Sequence, residues 1–174
     1  EEPTVIAYSF LGWSASNSAS NLWNFATGVM PEKNMTLYTV WSLDYTVTPV
    51  DGGVALSGYT GGRNPVLVPE EVDGLAVVSI AEGTFPDTGV TLQGNKGSVT
   101  HAFAEQTGMT FVPLTYTVTF VSNGGTPAPA QPLCATDPVE EPAVYRSGYT
   151  FSGWYTDAAL TTPWDFAASR MSAS

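Results

Sequence analysis

The sequence predicts a mainly β fold of the α+β class with a single substantial helix. Three observations predict it. Short runs of strand formers alternate with Gly-rich turns such as Asp51-Gly52-Gly53 and Asn123-Gly124-Gly125. Only one segment, residues 98–107, carries both helix start and helix stop signals. One aromatic-rich stretch occurs twice: residues 8–30 align with residues 149–171 at a constant offset of 141, without a gap.

The repeat organises the chain. Tyr8, Phe10, Gly12, Trp13, Trp23, Phe25, Ala26 and Met30 coincide with Tyr149, Phe151, Gly153, Trp154, Trp164, Phe166, Ala167 and Met171. The matches are mostly large apolar residues and one Gly, and the differences fall mainly at small polar positions. Two copies of one packed unit diverge in this way, the core being retained while loops drift. Trp41 closes the first copy. The chain therefore divides into 1–42, a partial copy; 43–114, an unrelated insert; and 115–174, a second partial copy.

Taken in order, residues 8–13 read as a strand, residues 14–21 as a loop, and residues 21–26 as one short helical turn with Asn21 as its cap. Residues 35–41 read as a closing strand. In the insert, strands are expected at 45–48, 54–59, 66–68, 77–80 and 91–93, with a tight turn that drops Phe85 inward. Ser98 is a good N-cap, Val99, Ala102 and Phe103 are expected on one helix face, and Gly108 stops the helix. Residues 109–114 run out as a strand or extended linker. Residues 116–120 alternate as a strand, and the five prolines between 127 and 142 predict an extended loop.

Composition narrows the function. Charged residues are 12% of the chain, about half the roughly 25% of ordinary globular domains. Ser, Thr and Asn take over the surface, as in many secreted and cell-surface β proteins. Sixteen acids stand against five bases, giving a net charge of −11. Lys33, Arg63, Lys96, Arg146 and Arg170 are scattered singly, so there is no basic patch for nucleic acid or an anionic membrane. No apolar run approaches the ~20 residues of a membrane span. The start, Glu1-Glu2-Pro3, lacks signal-peptide character, so any signal or wall anchor is expected outside this segment. Cys134 is alone, which leaves no intrachain disulfide and reads as a small residue beside a strand.

The strings YTVTFVSNGG, GYTFSGWY and PWDF resemble the internalin B-type repeat, also called the Listeria–Bacteroides repeat, of bacterial surface proteins. The resemblance implies a small β-grasp-like sheet with an opening strand ending in Asn-Gly-Gly, a Gly-Tyr-x-Phe-x-Gly-Trp core, and a closing aromatic strand. Residues 1–42 have the core and the closing strand (Leu37, Tyr38, Thr39, Val40, Trp41) but no opening strand. Residues 115–174 have the opening strand and the core but no closing strand. The middle, with GYTGG, VLVPEEVDGLAVVSIAEGTF and GSVTHAFAEQTGMTFVPL, resembles a short BspA-type leucine-rich repeat segment, which implies that the preceding hairpin and the helix act as its caps.

No catalytic, metal or cofactor residues are expected. His101, four residues before Glu105, is the only His, and no further ligand or partner nucleophile accompanies it. No Gly-x-Ser-x-Gly turn occurs. The paired acids Glu1-Glu2, Glu70-Glu71 and Glu140-Glu141 are sequence neighbours that do not face each other. Asp51, Asp73 and Asp157 stand in separate loops without calcium-site spacing. Trp13 and Trp154 are the candidate binding residues, with Tyr155. Their Trp–Phe–Gly spacing favours a shared, buried core position, whereas exposed rings would favour stacking on sugars. Tyr155 replaces Ser14 of the first copy and is the better candidate for an exposed contact.

The reading is a non-enzymatic extracellular module of a bacterial cell-surface or cell-wall protein, acting in adhesion or as an interaction stalk. Its partner would be a host or bacterial surface protein or a glycan. The alternative is a glycan-binding accessory region of a larger secreted enzyme. Because the copies are incomplete in complementary ways, residues 35–41 are expected to pair with residues 116–121, within one chain or between chains.

Overall fold

The structure is a computed structural model in which residues 7–16, 18–86 and 88–170 are described. The lead containing Val5-Ile6 and the match of Met30 to Met171 lie outside them.

The first copy is a two-stranded antiparallel ribbon. β1 (Tyr8–Ser14) pairs with β2 (Tyr38–Leu43), Phe10 standing opposite Trp41 and Trp13 opposite Thr39. The register slips between Phe10 and Gly12, where one extra residue, Leu11, bulges outward and 44% exposed. The closing strand thus starts later than expected, Met35 and Leu37 standing before it.

The insert is built from two stacked rows of strands. β3 (Tyr45–Val50) and β4 (Gly53–Tyr59) form the expected hairpin. β5 (Val66–Leu67), β6 (Glu71–Val72), β7 (Leu75–Ile80) and β8 (Thr91–Gly94) follow. β4 pairs parallel with β7, Leu56 opposite Ile80, and β5 pairs parallel with β8, Val66 opposite Leu92. The chain therefore passes twice through the same two positions, which stacks one coil on the next. A third passage begins with α1 (Val99–Thr107), packed on β7 and β8, and ends with β9 (Thr110–Pro113), which pairs parallel with β8. The sheet orders are β3-β4-β7-β6 and β5-β8-β9. Glu71 and Val72, outside the expected strands, pair with Ala76 and Leu75 as the short edge strand β6.

The core lies inside this stack. Leu56 and Leu92 are fully buried, with Val54, Val66, Tyr45, Phe85, Phe103 and Ala104 around them. Phe85 is dropped inward as expected and meets Tyr45 and Phe103 edge-on, with ring centroids 6.2 and 5.9 Å apart. α1 is capped as its sequence predicts: the Ser98 hydroxyl accepts the His101 N–H, and Gly108 closes the end in a left-handed turn. Its buried face is Thr100, Phe103 and Ala104 rather than Val99, Ala102 and Phe103. Positions i, i+3 and i+4 share a face, so burying Phe103 with Thr100 turns Ala102 outward.

The second copy departs most from expectation. β10 (Thr115–Val118) ends two residues early and pairs antiparallel with β11 (Gln131–Cys134), a strand unforeseen within the Pro-rich stretch. Pro132 is tolerated there because β11 lies at the edge of its two-stranded sheet, where a missing N–H breaks no second ladder. The expected pairing of residues 35–41 with residues 116–121 within the chain is not made. β2 is held by β1, and β10 by β11.

Polar links tie the copies to the stack, among them the Lys96–Asp137 ion pair at 2.8 Å. The Tyr8 hydroxyl donates to Asp73 at 2.8 Å. The Tyr116 hydroxyl donates to buried Asn95 at 2.7 Å, and Asn95 in turn donates to Glu70 at 3.0 Å.

Candidate functional site

Position by position, the two copies fold alike. The Trp23 N–H donates to the Trp13 carbonyl, and the Trp164 N–H to the Trp154 carbonyl. Asn24 Oδ1 accepts the Ala26 N–H at 2.9 Å, and Asp165 Oδ1 accepts the Ala167 N–H at 2.9 Å. Gly12 and Gly153 share a positive φ, 145° and 131°, which explains why Gly is retained in both. Phe10 meets Trp13 edge-on at 5.9 Å, as Phe151 meets Trp154 at 5.7 Å. Trp13 and Trp154 are thus equivalent, as expected, but half-buried rather than fully buried. A small two-stranded unit has too little volume to enclose an indole on every side.

The copies differ in what covers this framework. In the first, β2 lies along β1, and Trp41 packs edge-on against Phe10 with centroids 5.4 Å apart. In the second, residues 149–154, the counterpart of β1, carry no strand pairing, and only Tyr155 bridges to Pro163. Tyr149 and Phe151 are 65% and 49% exposed. Between this segment and residues 118–123 runs a groove of about 770 Å³. Phe120, Phe151, Trp154, Tyr155, Trp164 and Phe166 give it an apolar lining. Phe120 packs edge-on against Trp154 at 5.1 Å. The indole N–H groups of Trp154 and Trp164 are buried and have no hydrogen-bond partner.

The groove's polar rim is already engaged. Arg146 lies over the Tyr149 ring at 3.8 Å and donates to the Asn123 carbonyl at 2.9 Å. The Asp157 carboxylate accepts the backbone N–H groups of Thr161 and Thr162, which hold it below the usual carboxylate range.

The structure thus brings Trp154 and Tyr155 into one groove and leaves Trp13 in the other copy. Sequence reasoning missed Phe120, Phe151 and Trp164 as groove residues. The signal was the repeat offset, which sets Phe151 at the position of Phe10 and Trp164 at that of Trp23. His101 has a local role: its Nδ1 accepts the Gly97 N–H at 3.1 Å, its ring stacks on Phe111 at 4.6 Å, and Glu105 lies 3.6 Å from Nε2. Among the described residues, no three His, Cys, Asp or Glu side chains group as metal ligands. Cys134 is a free, half-buried thiol whose backbone N–H donates to Asp137. No helix among the described residues is long and apolar enough to cross a membrane.

The model of the Listeria-Bacteroides repeat domain matches residues 1–40 and 116–174, the two copies just described. The chain belongs to the Listeria-Bacteroides repeat family. The match leaves out the stacked insert between the copies.

Among known proteins, the chain is 28% identical over 170 residues to a protein of Evansella cellulosilytica provisionally named a Gly-rich membrane protein, covering 94% of this chain and 19% of that one. It is 29% identical over 175 residues to a second protein of that organism, provisionally named a membrane protein, covering 95% of this chain and 26% of that one. It is 28% identical over 130 residues to Internalin H of Listeria monocytogenes, covering 64% of this chain and 24% of Internalin H. The chain thus spans roughly a fifth to a quarter of the length of these relatives. No solved structure matches it.

Proposed function

We propose that this Listeria-Bacteroides repeat protein is a non-enzymatic module of a bacterial cell-surface protein, working by surface contact in adhesion or as an interaction stalk. The observation that carries the reading is the second copy's open groove, with Tyr149 and Phe151 exposed at its mouth. An exposed apolar surface of this kind marks an interaction site. The likeness to Internalin H and to two proteins named for a membrane supports a location outside the cell, at the wall or surface. We further read the insert as a short leucine-rich-repeat stack of the BspA type, supported by its parallel ladders Leu56–Ile80, Val66–Leu92 and Leu92–Phe111. Segments 1–42 and 115–174 are read as internalin B-type units on either side of it.

The test is saturable binding of the purified chain to arrays of host-matrix proteins, bacterial surface proteins and glycans. Binding to a protein ligand that Phe151→Asp abolishes supports the reading. Turnover of any arrayed glycan or peptide would overturn it. The second reading, a glycan-binding accessory region, is favoured by the exposed rings of Tyr149 and Phe151 and by Tyr155 at the groove. Selective sugar retention lost on Tyr155→Ala would establish it instead.

A further inference from the structure

Asn123-Gly124 is the one Asn-Gly pair in the chain. It lies in an exposed turn closed by the Gly125 N–H, which donates to the Ser122 carbonyl at 2.9 Å. Asn123 and Gly124 both have positive φ, 48° and 87°. That is a type I′ turn, for which Asn-Gly is a preferred pair. The side chains of Asn24, Asn64 and Asn95 are hydrogen-bonded. Among the described residues, the Asn123 side-chain amide has no partner, and neither has the Gly124 N–H. An unbonded amide beside an unbonded backbone nitrogen with no Cβ to shield it is the arrangement from which a cyclic imide forms. The turn is pinned from one side. Arg146 Nη1 donates to the Asn123 carbonyl at 2.9 Å, and its guanidinium rests on the Tyr149 ring at 3.8 Å. Beside it, the Thr126 N–H donates to the Tyr145 carbonyl at 2.8 Å, and the Tyr145 N–H to Thr126 Oγ1 at 3.0 Å.

We propose that Asn123 is a site of spontaneous deamidation and that Arg146 holds the reaction in check. In a type I′ turn the Gly124 nitrogen faces away from the Asn123 side chain. Ring closure therefore requires the Asn123–Gly124 peptide to rotate about the Asn123 Cα–C bond. That rotation carries the Asn123 carbonyl away from the guanidinium and breaks the Arg146 hydrogen bond. The Gly124 nitrogen then gives its proton to solvent and attacks Asn123 Cγ. A new N–Cγ bond forms, and the bond from Cγ to the amide nitrogen breaks, releasing ammonia. Water opens the imide. Cleavage of the new bond gives Asp, and cleavage of the original peptide bond gives isoaspartate. In sum, an amide and a water become a carboxylic acid and ammonia, and nothing is oxidised or reduced. The isoaspartyl chain adds a methylene to a tight turn, and either product sets a carboxylate near Arg146. The reaction needs no partner, so it stands apart from the proposed role in adhesion.

The experiment incubates the full chain in mildly alkaline buffer and follows Asn123 by peptide mass spectrometry, with an isoaspartyl methyltransferase to mark the isoaspartyl product. In concentrated urea, the parent and Arg146→Gln are expected to convert at the same rate. No conversion of Asn123 in urea overturns the site. In the folded chain, Arg146→Gln is expected to convert about tenfold faster than the parent, the factor carried by one charge-assisted hydrogen bond. A folded parent that converts as fast as the chain in urea overturns the gate. Since Arg146→Gln could disturb folding, a second variant, Tyr149→Leu, keeps the guanidinium and removes the exposed ring beneath it. It too is expected to convert faster than the parent. Parent-like rates in both folded variants overturn the gate. Asp165→Ala, which weakens another turn of the same copy, is expected to convert at the parent rate. A rate for Asp165→Ala that matches Arg146→Gln would trace the protection to the fold as a whole and overturn the role of Arg146.

Discussion

The backbone N–H of Trp164 donates to the carbonyl of Trp154 at 2.8 Å, and Trp23 makes the same bond to Trp13. The bond closes the loop between the two Trp residues in each copy, and it brings Phe166 against Trp164 with centroids 6.4 Å apart. It survives although all nine loop residues between the Trp positions differ between the copies. The repeat is thus held by backbone bonds and ring contacts, and the loop residues are free to vary.

The turn after the second Trp of each copy gives a prediction with its control already in the chain. Asp165 Oδ1 accepts the Ala167 N–H, where the first copy uses Asn24 for Ala26. Asp165→Asn should leave stability unchanged. Asp165→Ala should cost about 1 kcal/mol, the value of a lost side-chain cap. Urea denaturation of the two variants checks this, and equal midpoints for both would show that the turn does not depend on the oxygen.

The parallel pairing of β4 with β7 depends on one close approach. A Cβ at Gly53 would strike the Ala76 carbonyl, and the φ of 159° lies at the limit of the region that favours Gly. Gly53→Ala should therefore separate the two strands and cost about 3 kcal/mol. Gly62 has open space around it and no positive φ, so Gly62→Ala should be neutral or stabilise by about 0.5 kcal/mol. Thermal melts of the pair decide the point.

Most of the insert was legible in the sequence, because its strands are short apolar runs bounded by Gly and Pro and its helix carries both caps. The inward Phe85 followed from a tight turn preceding a large apolar residue. β11 was hidden, since five prolines between 127 and 142 read as loop, whereas an edge strand accepts Pro132. The stacking of the strands into parallel rows was also hidden, because Leu56 meeting Ile80 is a long-range choice that local pattern does not encode. The site was half legible. Trp154 and Tyr155 were visible as candidates from the repeat itself, but the groove depends on Phe120 and Trp164 coming from segments more than forty residues apart, which only the folded chain brings together.

Asn95 makes one of the links between the second copy and the stack. Its amide accepts from the Tyr116 hydroxyl and donates to Glu70, and it is 8% exposed. Tyr116→Phe leaves that buried oxygen unpaired and should cost about 1–2 kcal/mol. Asn95→Ala should cost a similar amount, and the double variant less than the sum, with a coupling of about 1 kcal/mol. Strict additivity in the double-mutant cycle would show that the two side chains act independently.

Tyr45 sits at the centre of the core with its hydroxyl buried and without a hydrogen-bond partner. Burial pushes its phenol well above the usual tyrosine value, and the neighbouring Tyr59 and Asp44 push it further. The folded chain therefore holds this proton more tightly than the unfolded chain does. The resulting stability is complete below the unfolded value of about 10 and is lost as pH rises from there towards the folded value. Tyr59, raised chiefly by burial, and Tyr8, raised chiefly by its bond to Asp73, act in the same direction. Alkaline unfolding should accordingly begin above about pH 10, with tyrosinate absorbance and loss of far-ultraviolet dichroism rising together. Tyr45→Phe removes the unpaired hydroxyl while keeping the ring contacts to Tyr59 and Phe85. It should stabilise the chain by about 1 kcal/mol at pH 7, since an unsatisfied buried polar group carries a penalty of that order. It should also move the alkaline midpoint upward. A variant less stable than the parent at pH 7, with an unmoved alkaline midpoint, would show that the hydroxyl is solvated and that another group governs the transition.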